Sequence, residues 1–218
     1  MRSIGCRSAA ERDRYRAWRA ELPIASRRAY AMGMPDLERF WTRAEVLALP
    51  EDGNRYELVD GELLVTPSPR PAHQRAILAL AERLLPYVRA HGLGECYSSP
   101  ADLDLRADQL LQPDLFVVAA GRNGLLRDWS EAGIPLLTVE ILSPSTARFD
   151  RIVKRHRYRR SGVAAYWIVD LDARLVEVWL PEAEAPQIVG DVLWWRPSEG
   201  VPPLRIDLPA VFQEACGE

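Results

Sequence analysis

The amino-acid order predicts an α/β (α+β) fold, a mixed β-sheet flanked by helices, with hairpins added toward the N-terminal and C-terminal ends of the domain. Three observations carry this. From residue 72 to residue 170 the apolar patterns read helix, strand, strand, strand, helix, strand. Pro135 to Leu142 and Tyr166 to Asp170 are apolar runs of strand length on either side of a polar, helix-length segment, the pattern of a βαβ crossover in a sheet covered on both faces. Asp60-Gly61 lies between two short apolar runs, Tyr56 to Val59 and Glu62 to Thr66, as a tight hairpin requires.

The elements follow in chain order. Residues 1–34 hold eight Arg against Glu11, Asp13 and Glu21, with few large apolar residues at any regular period, and are expected to form a basic extension, poorly ordered or helical. Residues 35–218 are expected to form one domain, which 218 residues at 48% apolar content can fill with a core. Thr42 followed by Glu45 predicts a capping box opening a short helix through Leu49, ended by Pro50 and Gly53. After the hairpin, Ile77, Leu80, Ala81, Leu84, Leu85 and Val88 recur at helical spacing and predict a long helix over Ala72 to Ala90, bent by Pro86 and stopped by His91-Gly92. Glu95 to Arg106 and Leu110 to Ala120 read as two strands joined near Ala107-Asp108-Gln109. Leu175 to Trp179 returns from Asp170 as a hairpin partner, Val192 to Trp195 and Leu204 to Leu208 are further strands, and Ala210-Val211-Phe212 is a terminal turn.

Composition narrows the function classes. The net charge of −3 divides into about +5 on residues 1–34 and about −8 on the rest, so no nonspecific nucleic-acid footprint covers the whole surface. The positive charge is local: Arg148 to Arg160 contains six Arg and one Lys against Asp150. No run approaches the roughly 18–20 apolar residues of a membrane span, and the first residues lack the apolar middle of a signal peptide; a cytoplasmic protein without membrane contact is expected. Cys6, Cys96 and Cys216 are odd in number and in no zinc spacing with His73, His91 or His156.

Glu140 sits inside an apolar strand where a Val is expected. A buried carboxylate without a partner costs several kcal/mol, so it needs a cation, a proton or a solvent-filled site beside it. A second acid, Asp114, heads the preceding apolar strand. Two carboxylates on neighbouring strands with an amine nearby suit a hard divalent ion such as Mg²⁺ at a phosphodiester. Of the 28 basic residues Lys154 is the one lysine. Codon bias accounts for the Arg excess but not for the exception, since a lysine offers a compact, titratable charge that Arg does not. At about 100° per residue, Asp150, Lys154, Arg157 and Ser161 share a stripe that faces the sheet, whereas Arg151, Arg155 and Arg159 point elsewhere, as on a solvated basic helix.

Pro113-Asp114 followed by Glu140-Ile141-Leu142 resembles the PD-(D/E)XK nuclease superfamily. The fuller string resembles its Uma-type, restriction endonuclease-like branch: Tyr56 to Glu62, His73-Gln74, Gln112-Pro113-Asp114, Val139 to Thr146, Asp150 through Lys154 to Tyr158, and Tyr166 to Asp170. The resemblance covers about residues 40 to 180. It implies a restriction-endonuclease-like core, a Mg²⁺- or Mn²⁺-dependent endonuclease activity on nucleic acid, DNA first, and Asp114, Glu140 and the main-chain carbonyl of Ile141 as metal ligands. Leu142 stands where the superfamily lysine is expected, and the likeness moves that amine to Lys154. Glu57 is implied as an additional catalytic acid. His73 and Gln112 are substrate-binding candidates, as are Arg151 and Arg155 for phosphates. Each has a plainer reading beside it: His73 as a cap or surface group, Gln112 as a strand end, Glu57 as an exposed hairpin acid. Ser143 and Thr146 suit loop and cap hydroxyls, with no base to activate them. Trp167, Trp179, Trp194 and Trp195 suit the core or a dimer contact, and a homodimer is expected. The competing reading is a noncatalytic nuclease-like module that binds nucleic acid or a protein.

Overall fold

The computed structural model of the chain describes residues 35–36, 41–50, 54–59, 61–66, 69–106, 109–119, 126–143 and 147–217. The expected basic extension, residues 1–34, lies outside them.

A short strand β1 (Pro35–Asp36) and helix α1 (Arg43–Leu47) precede the hairpin of β2 (Arg55–Val59) and β3 (Glu62–Thr66). The capping box forms: Thr42 Oγ1 accepts from the Glu45 amide at 3.3 Å, and Glu45 Oε2 accepts from the Thr42 amide at 2.8 Å. Val59 pairs with Glu62, and Gly61, at φ 81°, supplies a left-handed conformation that costs other residues energy.

Helix α2 (Pro71–Ala90) begins on a proline, whose missing N–H is harmless in the first turn. Pro86 lies inside it, and the helix runs on to Ala90. Pro86 and Glu82, whose carbonyl loses its helical donor to the proline, are both exposed. The opposite face buries Ala76, Ile77, Leu80, Leu84 and Val88.

The two strands expected between Glu95 and Ala120 are in fact four. Strands β4 (Gly94–Ser98) and β7 (Leu115–Ala119) pair with each other, while β5 (Leu103–Arg106) and β6 (Gln109–Leu111) pair separately and join β2. Pro100 and Pro113 explain the division, because neither can donate to a ladder and each marks where the chain passes between sheets. Asp114 falls at the second passage, one residue before β7.

β8 (Leu137–Ile141) and β9 (Tyr166–Asp170) are parallel, with Glu140 opposite Ile168, and the helical segment between them makes the anticipated crossover. With β10 (Leu175–Trp179) and β11 (Gln187–Val189), a strand not anticipated, they give a six-stranded mixed sheet in the order β11-β10-β9-β8-β7-β4. A five-stranded sheet has the order β1-β3-β2-β6-β5, and β12 (Val192–Trp195) pairs with β13 (Leu204–Asp207). The expected terminal turn is instead a helix (Leu208–Cys216), capped by Asp207 at the Ala210 amide and ended by Gly217 at φ 84°. Pro209 reads as a breaker but is tolerated in a first turn. The helix packs Val211, Phe212 and Ala215 into the core shared with α2.

The crossover is three consecutive turns: α3 (Ala147–Phe149), a π-helical turn (Asp150–Lys154) and α4 (Arg155–Arg160). It buries Asp150, Lys154 and Tyr158. On β8, Leu137, Val139 and Ile141 enter the core under α2, whereas Thr138 and Glu140 face the opposite way, toward the crossover. Each fully buried Val, Leu or Ile stabilises by about 1.5–3 kcal/mol. Three of them on one face can hold β8 in place while Glu140 is withdrawn from water on the other.

Candidate active site

Three carboxylates meet at Lys154, and a fourth, Asp114, adjoins them on the same cavity. Glu57 comes from β2, Asp114 from the passage into β7, Glu140 from β8 and Asp150 from the π-helical turn; they are only 1%, 1%, 2% and 2% exposed. Lys154 Nζ lies 2.9 Å from Glu57 Oε1, 3.0 Å from Glu140 Oε1 and 3.6 Å from Asp150 Oδ1. In that turn the Arg155 amide reaches back to the Asp150 carbonyl, an i to i−5 bond, in a wider helical turn of a kind often found at functional sites. Tyr158 Oη donates to Glu140 Oε1 at 2.9 Å, and Tyr166 Oη donates to the Asp150 carbonyl at 3.1 Å.

Asp114 is held differently. Its Oδ2 accepts from the Ile141 amide at 2.8 Å and from His73 Nε2 at 3.0 Å, and its Oδ1 accepts from Arg55 Nη2 at 2.8 Å. Arg55 Nη1 also donates to the Gln112 carbonyl at 2.8 Å, while the Gln112 amide donates to Glu57 Oε1 at 2.8 Å. Backbone from two sheets is thereby tied to the acids. Strand periodicity aids this, since Arg55 and Glu57 are two residues apart on β2 and share a face. A cavity of about 390 Å³ opens on the cluster, lined by Arg55, Glu57, His73, Asp114, Glu140, Ile141, Asp150 and Lys154 among others.

The electrostatics divide the two principal acids. Burial pushes Asp114 up, but the hydrogen bond from His73 and the Arg55 guanidinium outweigh it and hold the carboxyl below the usual range. For Glu140, burial raises the pKa well above the ordinary value; the Lys154 charge opposes this, and repulsion from Asp114, Asp150 and Glu57 adds to it. Burial alone lowers Lys154, yet Glu140, Glu57 and Asp150 raise it, so the amine stays protonated. The four carboxylates are faced by the two cations Lys154 and Arg55. Even a protonated His73 leaves the cluster negative when all four acids are ionised.

Among the described residues, no three His, Cys, Asp or Glu side chains are already gathered as ligands around one point. The carboxylates close instead on Lys154 and Arg55. The donor set still fits a hard divalent cation: its donors are oxygens, its charge is negative in excess, and it borders a cavity.

The structure brings Asp114, Glu140, Lys154, Glu57, His73 and Ile141 together, and Arg151 reaches the same cavity wall. His73 is neither a cap nor a surface group; it is buried against Asp114, and its Nδ1 has no hydrogen-bond partner among the described residues. Glu57 is not an exposed hairpin acid; it is buried and accepts from Lys154 Nζ and the Gln112 amide. Gln112 and Arg155 do not line the cavity. The Gln112 side chain donates to Asp102 Oδ1 at 2.6 Å, and Arg155 lies 4.1 Å over the Trp179 ring. Arg151 is paired with Asp170 at 2.9 Å and Glu177 at 2.5 Å, rather than pointing into solvent. Sequence reasoning missed Arg55 and left Asp150 as a stripe residue. The period-2 relation of Arg55 to Glu57, and the spacing of four between Asp150 and Lys154, are the signals that point to them. Trp167 and Trp195 are core residues, while Trp194 is 57% exposed. No helix among the described residues is long and apolar enough to cross a membrane.

Comparison with known proteins bears on the family and the fold. Residues 43–209 match the model of the Uma2 family, described as "Putative restriction endonuclease". The fold is similar to a crystal structure from Anabaena variabilis described as a "putative nuclease belonging to DUF820", with a TM-score of 0.64, 21% identity, and coverage of 80% of this chain and 98% of the other. No curated protein matches significantly.

Proposed function

The chain belongs to the Uma2 family, and from that premise we propose that it is a Mg²⁺- or Mn²⁺-dependent endonuclease that hydrolyses phosphodiester bonds of DNA. The family supports a nuclease with a nucleic-acid substrate. The observation that carries the finer reading is the buried cluster of Glu57, Asp114, Glu140 and Lys154, acidic in excess and open to a cavity.

Asp114, Glu140 and the Ile141 carbonyl would hold the ion. Once bound, Mg²⁺ supplies Lewis acidity and a water of lowered pKa. Lys154, kept protonated by three carboxylates, serves as a donor and not as a base. Its amine orients the attacking water and stabilises negative charge developing on the phosphoryl oxygens. Glu57 fixes that amine by accepting from it while anchored at the Gln112 amide. Tyr158 and Lys154 both bond Glu140 Oε1, which fixes the carboxylate's rotation. Arg151 stands on the cavity wall and is a basic group for the substrate phosphates.

One observation favours the noncatalytic reading: both oxygens of Asp114 already have partners, one of them the Arg55 cation. The two readings separate in a single panel. Purified protein is incubated with single-stranded DNA, duplex DNA and RNA, with Mg²⁺, Mn²⁺ or chelator. Divalent-dependent cleavage of DNA supports the nuclease; nucleic-acid binding with no cleavage under any metal supports the module.

A further inference from the structure

We infer that Arg55 is the resident counter-ion of Asp114, displaced from Oδ1 when a divalent cation binds, so that its guanidinium becomes a substrate-phosphate positioning group only in the metal-loaded protein. This rests on the metal-site reading above.

The two oxygens of Asp114 are not equally available. Oδ2 is held by a main-chain amide of β8 and by a ring fixed on the first turn of α2. The Ile141 amide cannot leave without disturbing β8, so Oδ2 keeps a main-chain donor. Among the described residues Oδ1 is held by Arg55, through a long side chain that is 16% exposed and lines the cavity. A hard cation needs a carboxylate lone pair at about 2.1 Å, and a guanidinium on that same oxygen competes with it both for space and by charge. Oδ1 is therefore the oxygen that side-chain motion can free.

Arg55 need not leave the site when it gives up Oδ1. Its second bond, from Nη1 to the Gln112 carbonyl, tethers it at the cavity wall. The planar fork, released on one side, is suited to a phosphate oxygen. In the metal-free protein the same fork neutralises part of the excess negative charge. Arg55 thus couples metal uptake to the appearance of a phosphate-binding donor.

The test is calorimetric titration of Mn²⁺ into the full chain, comparing wild type with Arg55→Gln, Arg55→Lys and Asp114→Asn, each checked for folding by circular dichroism. Removing the competitor is expected to tighten Mn²⁺ binding of Arg55→Gln by about tenfold, with Arg55→Lys between it and wild type. At saturating Mn²⁺, Arg55→Gln raises KM for DNA more than it lowers kcat. A purely structural Arg55 predicts unchanged or weaker metal binding. If wild type binds Mn²⁺, Asp114→Asn does not, and neither Arg55 variant binds more tightly, the inference falls and the metal site stands. If neither wild type nor Arg55→Gln binds Mn²⁺, both fall. Arg55→Lys keeps a cation at the position, so it carries the comparison if Arg55→Gln does not fold.

Discussion

Arg151 and Lys154 stand three residues apart on one π-helical turn, and each meets more than one carboxylate, yet they inhabit different physics. Arg151 has a side chain 38% exposed and pairs with Asp170 and Glu177 at the rim. Lys154 has a side chain 3% exposed and is enclosed by Glu57, Glu140 and Asp150. At the rim, water screens whatever charge remains unbalanced, and such pairs are worth about 0–1 kcal/mol. Inside, burial removes most of that screening, so charge left unbalanced by Lys154 and Arg55 has to be met by a proton, by water in the cavity or by a bound ion. That difference in screening is why the proposed metal site is assigned to the inner cluster and not to the rim.

The comparison breaks most readily at Lys154. Lys154→Met leaves three buried carboxylates without their shared cation and is expected to cost about 3–5 kcal/mol in urea unfolding of the metal-free protein. It also lowers cleavage by about 10²–10³-fold, the usual effect of losing one donor at developing charge. Asp114→Asn comes next. The amide can accept on one oxygen only, whereas the carboxylate accepts from Arg55, His73 and Ile141, and the loss is expected to be about 1–3 kcal/mol.

Glu140→Gln moves stability in the opposite direction. Glu140 has a folded-state pKa raised above its unfolded value, so its favourable contribution is complete below about 4.5 and is lost as pH rises through the folded value. Glutamine keeps the neutral form at every pH. Metal-free Glu140→Gln is therefore expected to melt above wild type at pH 8, by about 2–4 °C for each kcal/mol regained. The gap should close toward pH 4 and should shrink when Mn²⁺ is added to wild type. Asp114, whose pKa is lowered, has the reverse dependence: its stabilisation is present above the ordinary aspartate value of 3.8 and disappears only in stronger acid. Arg151→Ala should change unfolding by no more than about 1 kcal/mol; a loss as large as that of Lys154→Met would show that solvent does not separate the two regions.

Much of this was legible in the chain. One acid in the apolar strand Leu137–Ile141, another after Pro113, and a single lysine on the sheet-facing stripe of the crossover pick out Glu140, Asp114 and Lys154. These signals are local: strand polarity, helix phase and residue type. The sheet switch between β4 and β7 was not legible, because two strands of unrelated pairing read as one long apolar pattern until Pro100 and Pro113 are given their role as ladder breakers. For the same reason Arg55 escaped notice. Its importance comes from a contact with Asp114 across 59 residues, which no local pattern encodes. Gln112 and Arg155 matched the expected residue types, but their side chains turn to Asp102 and Trp179 instead of the cavity.

The central claim, that this cluster is a metal-dependent phosphodiesterase site, is tested most directly by single-turnover DNA cleavage in Mn²⁺ with wild type and Glu140→Gln at pH 8, beside their melting curves. The account predicts a variant that is at least as stable as wild type and has lost cleavage. Cleavage by Glu140→Gln at the wild-type rate would contradict it.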